Sequence, residues 1–118
     1  MKQQHLKHRK NLAAIYYEVP SEGNIVNAIE FVLYFDDGKG LRGLKMEPVE
    51  RGYWVAVNLV WKDENGVKPI SYEQTHLILP AQRQSKKRFA ECVNYIKKNK
   101  RKLTRRYHIT CTWREVCT

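Results

Sequence analysis

A chain of 118 residues has the length of one domain that can bury a core without disulfide bonds. Hydrophobic residues make up 42% of it and charged residues 29%, values that exclude an intrinsically disordered protein, and no apolar run is long enough to span a bilayer. The formal net charge of +10 indicates an acidic partner such as nucleic acid or an acidic protein, and no membrane is among the predicted partners.

The N-terminal residues 1–10 contain four basic side chains and no acid, and we predict that they form a flexible basic arm. A single α+β domain is predicted to follow at 11–118. The apolar stretch at 12–17 is shorter than the hydrophobic region of a secretory signal and lacks a small-residue cleavage site. Three cysteines without close pairing fit reduced thiols, so we expect a cytoplasmic protein.

Two strong strands are predicted at 25–35 and 53–62, because both are rich in β-branched and aromatic residues. In the first, alternation places Ile25 on the same face as Phe31. The pair Asn65-Gly66 after the second is a strong hairpin signal. Weaker strands are predicted at 12–19, 41–49 and 71–79, of which the middle one is expected to be irregular because it contains glycine and proline.

An amphipathic helix is predicted after Pro80, with Ser85 or Gln82 as its first residue. Apolar side chains recur at helical spacing on one stripe: Phe89, Cys92, Val93, Ile96 and, if the helix continues past Asn99, Leu103. The opposite face is mostly basic and polar: Lys87, Asn94, Lys98, Arg101 and Arg105. Asn99 is an alternative end for the helix, which would leave the following residues as a basic connection.

The last stretch, residues 107–116, alternates apolar and polar side chains and predicts a closing strand. The predicted fold is therefore α+β: a curved antiparallel meander of five to six strands, one amphipathic C-terminal helix packed on it, and a final strand. Both strong strands are apolar on both faces, and one helix covers only one face of a sheet. We therefore expect the sheet to curl into a half-barrel, to pair with a second copy as a homodimer, or to bind a ligand.

The positive charge is concentrated in one segment. Residues 83–106 contain eleven Lys and Arg residues against the single acid Glu91, so this segment alone accounts for the whole net charge. Seven of the eleven lie between Lys97 and Arg106. A charge run is usually a solvated helix face, but this density exceeds what solubility needs. Lys and Arg neutralise phosphates, and tyrosines among them stack on unpaired bases.

The leading hypothesis is a small, non-enzymatic DNA- or RNA-binding protein, in which the basic helix face and the basic arm contact phosphates. The candidate nucleic-acid-binding residues are Lys87, Lys97, Lys98, Lys100, Arg101, Lys102, Arg105, Arg106 and Tyr95. No catalytic motif, cofactor fingerprint or metal-ligand set is recognisable, so no cofactor and no metal are predicted. His108 and Cys111 would point to opposite faces of a strand, which disfavours a shared ion.

Two alternatives stay open. The chain could be a protein-interaction module, such as an inhibitor or adaptor from a phage or mobile element, that uses the same basic face on an acidic protein. It could also be an enzyme with a sheet cavity around Glu30, a lone carboxylate on an otherwise apolar face. A buried Glu30 would titrate at a raised pH.

Overall fold

The computed structural model describes residues 8–116. Within that span the protein is an α+β fold with a six-stranded antiparallel sheet, a separate two-stranded hairpin and one long helix. The elements in chain order are β1 Arg9–Glu18, β2 Ala28–Asp36, β3 Leu41–Arg42, β4 Glu47–Pro48, β5 Gly52–Asp63, β6 Gly66–Pro69, β7 Gln74–Pro80, α1 Lys86–Leu103 and β8 Glu115–Val116. The predicted fold class is confirmed.

The main sheet is an open antiparallel meander. β2 lies between β1 and β5, and the β3–β4 hairpin is inserted in the connection from β2 to β5. β6 and β7 share one edge, because β6 pairs with the second half of β5 and β7 with its first half. β8 pairs with β1 at the other edge. Since the two edges do not meet, the sheet does not close into a barrel.

Several predicted boundaries move. β1 begins at Arg9, three residues before the predicted strand, so the last two residues of the predicted arm pair with β2. Residues 1–7 of that arm, and also Cys117, lie outside the described residues. The predicted hairpin at Asn65-Gly66 is confirmed by the β5–β6 pairing.

The predicted strand at 25–35 begins too early. β2 begins only at Ala28, and Ile25 lies in the preceding loop with 71% of its surface exposed. The Asn27 side chain forms two hydrogen bonds of 2.7 Å with the backbone N–H and C=O of Lys62 in β5, and the Asn27 N–H donates to the Val60 carbonyl at 3.0 Å. These bonds attach the end of the loop to β5 just before β2 begins.

The core lies between α1 and one face of the sheet. Alternation in β2 and β5 buries side chains such as Phe31 and Val55 completely on this face, and the helix adds Cys92, Ile96 and Leu103. Burying these apolar side chains gives the fold most of its stability, at roughly 25 cal/mol for each Å² removed from water. The predicted helical stripe is confirmed.

Helix α1 begins and ends on side-chain caps. Ser85 is the N-cap, as predicted, and its Oγ accepts a hydrogen bond from the N–H of Arg88. The hydroxyl of buried Tyr53 accepts from the N–H of Ser85 at 2.9 Å and lies 3.3 Å from its carbonyl oxygen, which ties this helix end to β5. At the other end, the Thr104 hydroxyl donates to the carbonyl of Lys100.

Asn99 kinks the helix but does not end it. Its φ and ψ of −110° and 17° are not helical, and its side-chain amide donates to the carbonyl of Tyr95 at 2.9 Å. The helix continues to Leu103, which is buried. The basic residues after Asn99 therefore belong to a helix held on the core. No helix in the part of the chain that the structure describes is long and apolar enough to cross a membrane.

The predicted final strand is present, but it is much shorter than the predicted range 107–116. Only Glu115–Val116 forms ladder pairs, and Trp113 just before it adopts a left-handed φ of 59° that an extended strand does not contain. Two backbone bonds with Glu18, from Thr112 and to Arg114, still hold the segment beside β1. The predicted alternation of faces holds, since Tyr107, Ile109, Cys111 and Trp113 pack on the core.

The second face of the sheet is covered partly by cationic side chains. The Arg9 guanidinium lies 3.8 Å from the centre of the Tyr34 ring, and Arg42 of the β3–β4 hairpin lies 4.8 Å from that of Trp54. Arg42 also donates to the hydroxyls of Tyr34 and Thr75. The sequence pattern predicted an uncovered apolar face, but these long side chains reach across it from β1 and from the hairpin.

Candidate nucleic-acid interface

The outer face of α1 is exposed and basic, as the helical pattern predicted. The exposed candidates from the sequence are Lys87, Lys97, Lys98, Arg101, Lys102, Arg105 and Arg106, whereas Lys100 and Tyr95 are half-buried. Because the opposite stripe packs on the sheet, the rigid core holds these cations on the surface. A polyanion meeting this face would encounter fixed positive charge.

Three of the candidate cations also make contacts within the protein. Lys97 Nζ lies 3.4 Å from a carboxylate oxygen of Glu115 in β8. Lys100 lies over the Tyr17 ring and donates to the carbonyl of Lys97 at 2.9 Å. Arg101 lies over the Trp113 ring, 5.5 Å from its centre. These cations help to attach the segment before β8 to the helix, so part of the charge in α1 is structural.

Four cations at the C-terminal end of the helix have no ion-pair partner among residues 8–116: Lys98, Lys102, Arg105 and Arg106. They lie within nine residues of one another along the chain, and all four are exposed. Lys87 is also exposed, but it lies about 16 Å away along the helix axis from Lys98, at a rise of about 1.5 Å per residue. The structure therefore brings together the C-terminal group and leaves Lys87 apart from it.

The helix end itself supplies an electrostatic reason for some of these cations. The last turn contains Lys100, Arg101 and Lys102, where positive charge interacts favourably with unpaired carbonyl groups. Such an interaction is worth about 0.3–1 kcal/mol for each exposed side chain. It does not extend to Arg105 and Arg106, which follow the helix. We call Lys98, Lys102, Arg105 and Arg106 the C-terminal basic cluster.

His76 faces this cluster from β7. Burial, followed by the nearby charge of Arg106, lowers the pKa of His76 below its usual value of 6.5. The imidazole is therefore neutral at pH 7 and adds no charge to the site. Arg106 remains the cation at this position.

Tyr72 is a candidate that the sequence pattern did not single out, because it falls within the predicted strand 71–79. In the structure it lies in the loop before β7, and its side chain is 96% exposed. The Tyr107 hydroxyl lies 3.2 Å from its carbonyl oxygen. The sequence feature that could have indicated an exposed tyrosine is its position among polar residues just after Pro69.

The hypothesis of a catalytic cavity around Glu30 gains no support. The Tyr16 hydroxyl donates to Glu30 at 2.8 Å and the Asn58 amide lies 3.3 Å from it, so the carboxylate is held in a network. Burial and this carboxylate raise the pKa of Tyr16 to about 12. Glu30 lines neither of two surface cavities of ≈ 480 and ≈ 430 Å³, which lie near Ser21 and near Phe89.

The cysteines do not form a reactive or metal-binding site within residues 8–116. Cys92 is buried, and burial raises the pKa of its thiol to about 11. The Cys111 thiol also has a raised pKa for the same reason, and its Sγ lies 3.3 Å from the Glu18 carbonyl oxygen. No group of three or more metal-ligating side chains occurs in this part of the chain.

Arg9, from the predicted basic arm, is not free to bind a polyanion. Its side chain is 7% exposed, and its guanidinium contacts both carboxylate oxygens of Glu73, at 2.7 and 3.4 Å. This bidentate pair connects β1 to the loop before β7 across the second face of the sheet. The contact is structural, so Arg9 is not part of the candidate interface.

A scan against protein-family models found no matching family, and searches of the curated proteins and of the solved structures found no match.

Proposed function

We propose that the protein binds nucleic acid through the C-terminal basic cluster. The observation that carries this proposal is the group of four exposed cations without ion-pair partners among residues 8–116, next to Lys97, which is paired with Glu115. A protein that needed this charge only for solubility would gain nothing from gathering it at one end of one helix. Phosphate groups would take the place of the missing acidic partners.

Binding would proceed by exchange of condensed counterions for Lys and Arg side chains. Arg105 and Arg106 suit bidentate contacts with phosphate oxygens, whereas Lys98 and Lys102 act as point charges. Because the helix is held on the core by Ile96 and Leu103, its backbone loses little conformational freedom on binding. Contacts of this kind position a backbone and read little sequence.

Neutralising three members of the cluster tests the proposal. We expect the variant Lys98→Gln, Lys102→Gln, Arg105→Gln to bind an oligonucleotide more weakly and with a smaller salt dependence. Three lost phosphate contacts should reduce the slope of log affinity against log salt concentration by about 2–3, since each contributes about 0.7–0.9. Fluorescence anisotropy at several salt concentrations measures both quantities. Glutamine avoids placing negative charge at the helix C-terminus, so the fold is preserved.

The matched control neutralises three exposed lysines elsewhere, in the variant Lys39→Gln, Lys45→Gln, Lys68→Gln. It changes the net charge equally but leaves the helix intact. The proposal expects a small loss of affinity in the control and a large one in the cluster variant. Equal losses in both would show that only the overall charge matters, and unchanged affinity in the cluster variant would refute the proposed site.

A protein partner is the second candidate, and one observation favours it. The turn of the β3–β4 hairpin exposes apolar side chains, Leu44 completely and Leu41 and Met46 by about half. These exposed apolar groups suit the apolar centre of an interface with a protein partner. A complex with a protein that persists at high salt, without nucleic-acid binding, would favour this candidate.

A further inference from the structure

The loop between β6 and β7 presents an aromatic ring to solvent while its backbone is held in place. The N–H groups of Ile70 and Ser71 both approach the Leu59 carbonyl oxygen, and Ser71 Oγ accepts from the N–H of Leu59 at 2.9 Å. The ring of Tyr72 nevertheless remains 96% exposed. The Tyr72 ring is not buried against the rest of the protein, so it contributes nothing to the core.

The loop that carries Tyr72 lies close to the two arginines of the C-terminal basic cluster. Tyr107, which directly follows Arg105 and Arg106 in the chain, spans the gap between the two segments. Its hydroxyl lies 2.9 Å from the Val57 carbonyl oxygen and 3.2 Å from that of Tyr72. The two arginines are thus separated from the Tyr72 loop by about the length of one tyrosine side chain.

The charge of Arg106 also acts on this edge of the sheet. Its charge contributes to the lowered pKa of His76, which lies four residues after Tyr72 and within β7. Arg106 of the basic cluster is therefore close enough to β7 for its charge to act there. The Tyr72 loop and the arginines of the cluster are neighbouring parts of the molecule.

The acidic residue beside Tyr72 does not oppose a polyanion. Glu73 is paired with the Arg9 guanidinium through both of its carboxylate oxygens. Its charge is therefore compensated within the protein. The surface around the ring remains favourable for phosphate.

We propose that Tyr72 is a platform on which an unpaired base stacks, so that the nucleic acid bound by the basic cluster is single-stranded. The inference rests on the proposed function and adds the class of ligand to it. Base stacking on an aromatic side chain tolerates any sequence, because every base has a π-face. In a duplex the bases are already stacked on one another, and an exposed tyrosine on the surface would meet only the backbone.

The test compares three substitutions at Tyr72 on two kinds of ligand. Labelled oligo-dT and oligo-U serve as single-stranded probes, and a DNA duplex of the same length is the reference. Tyr72→Ala should weaken binding to one or both single strands on the order of tenfold and leave duplex binding unchanged. Tyr72→Leu, which is apolar but has no flat ring, should behave like the alanine variant, whereas Tyr72→Phe should bind as the wild type does. All three keep the backbone carbonyl that Tyr107 contacts, so the loop is preserved.

The outcomes separate this inference from the proposed function. If the wild-type protein binds oligo-dT and oligo-U and Tyr72→Ala binds them equally well, the stacking role is refuted and the basic cluster stands. If the wild type binds only the duplex, or if Tyr72→Ala loses duplex and single-strand affinity equally, the preference for single strands is refuted. If the wild type binds none of the probes, the proposed function fails and this inference fails with it.

Discussion

At the scale of single residues, the pairing of β5 with β7 depends on a glycine. Gly52 has a φ of +150°, and a Cβ atom at this position would lie 2.4 Å from the Leu79 carbonyl oxygen. The contact is with backbone, so rotation of a flexible side chain cannot relieve it. Gly52 thus permits both the unusual dihedral angle and the close approach of the neighbouring strand.

We therefore expect Gly52→Ala to lower the free energy of unfolding by at least about 2 kcal/mol. Gly23→Ala is the matched control, because Gly23 has a φ of +69° but open space around its Cβ position. There we expect a loss of about 1 kcal/mol from the backbone conformation alone. Urea unfolding measures both values, and equal losses would show that the close approach at Gly52 contributes nothing.

The burial of individual side chains was partly predictable from sequence. Alternation predicted two faces for each strong strand, and Phe31 and Val55 lie together on the face that packs against the helix, because a strand paired on both sides has a fixed period of two. It could not show that Arg9 and Arg42 cover the second face, because their reach depends on how a distant hairpin folds back. It also could not show where the strand begins, and Ile25 lies in the loop before β2.

At the scale of elements, the beginning of the helix is joined to the sheet by a polar contact as well as by the apolar stripe. The Tyr53 hydroxyl contacts both the N–H and the C=O of Ser85, the N-cap residue, although Tyr53 itself is completely buried. A buried hydroxyl needs such partners, since leaving it without a hydrogen bond costs about 1–3 kcal/mol. The contact sets where the helix begins on the sheet.

Replacing Tyr53 by Phe removes this contact while keeping the ring in the core. We expect stability to fall by about 1 kcal/mol and amide exchange to accelerate in the first turn of α1, but not near Leu103. Hydrogen-exchange mass spectrometry checks the position of the effect. In the control Tyr95→Phe, the hydroxyl removed has no hydrogen-bond partner among the described residues, and the exchange pattern should not change. Uniform acceleration along the whole helix would contradict the anchoring role.

Local sequence predicts the conformation of the helix well and that of the final segment, residues 107–116, poorly. Ser85 and the apolar stripe of α1 are local signals, and both were predicted. Residues 107–116 have the alternation of a strand, but pairing requires an extended backbone at every position. Trp113 has a left-handed φ instead, with its ring against Tyr17 at 5.7 Å between centres. Tertiary packing has overridden the local pattern.

At the scale of the whole molecule, charge and core are arranged on opposite sides of one helix. The apolar stripe of α1 holds the helix to the sheet, and the basic cluster faces away from it at the C-terminal end. The excess of basic residues in 83–106 was visible in sequence. The division of those residues into paired and unpaired cations was not, because it depends on Glu115 and Trp113, which lie after the helix in the chain.

The most direct test of this account is an NMR titration of the ¹⁵N-labelled protein with oligo-dT, followed through the backbone amide signals. We expect the largest changes in chemical shift at Lys98–Arg106 and around Tyr72. The amides of β2 and of the β3–β4 hairpin should change little, because they lie away from the helix. Changes concentrated on the hairpin or on the second face of the sheet, or no changes at low salt, would contradict the central claim.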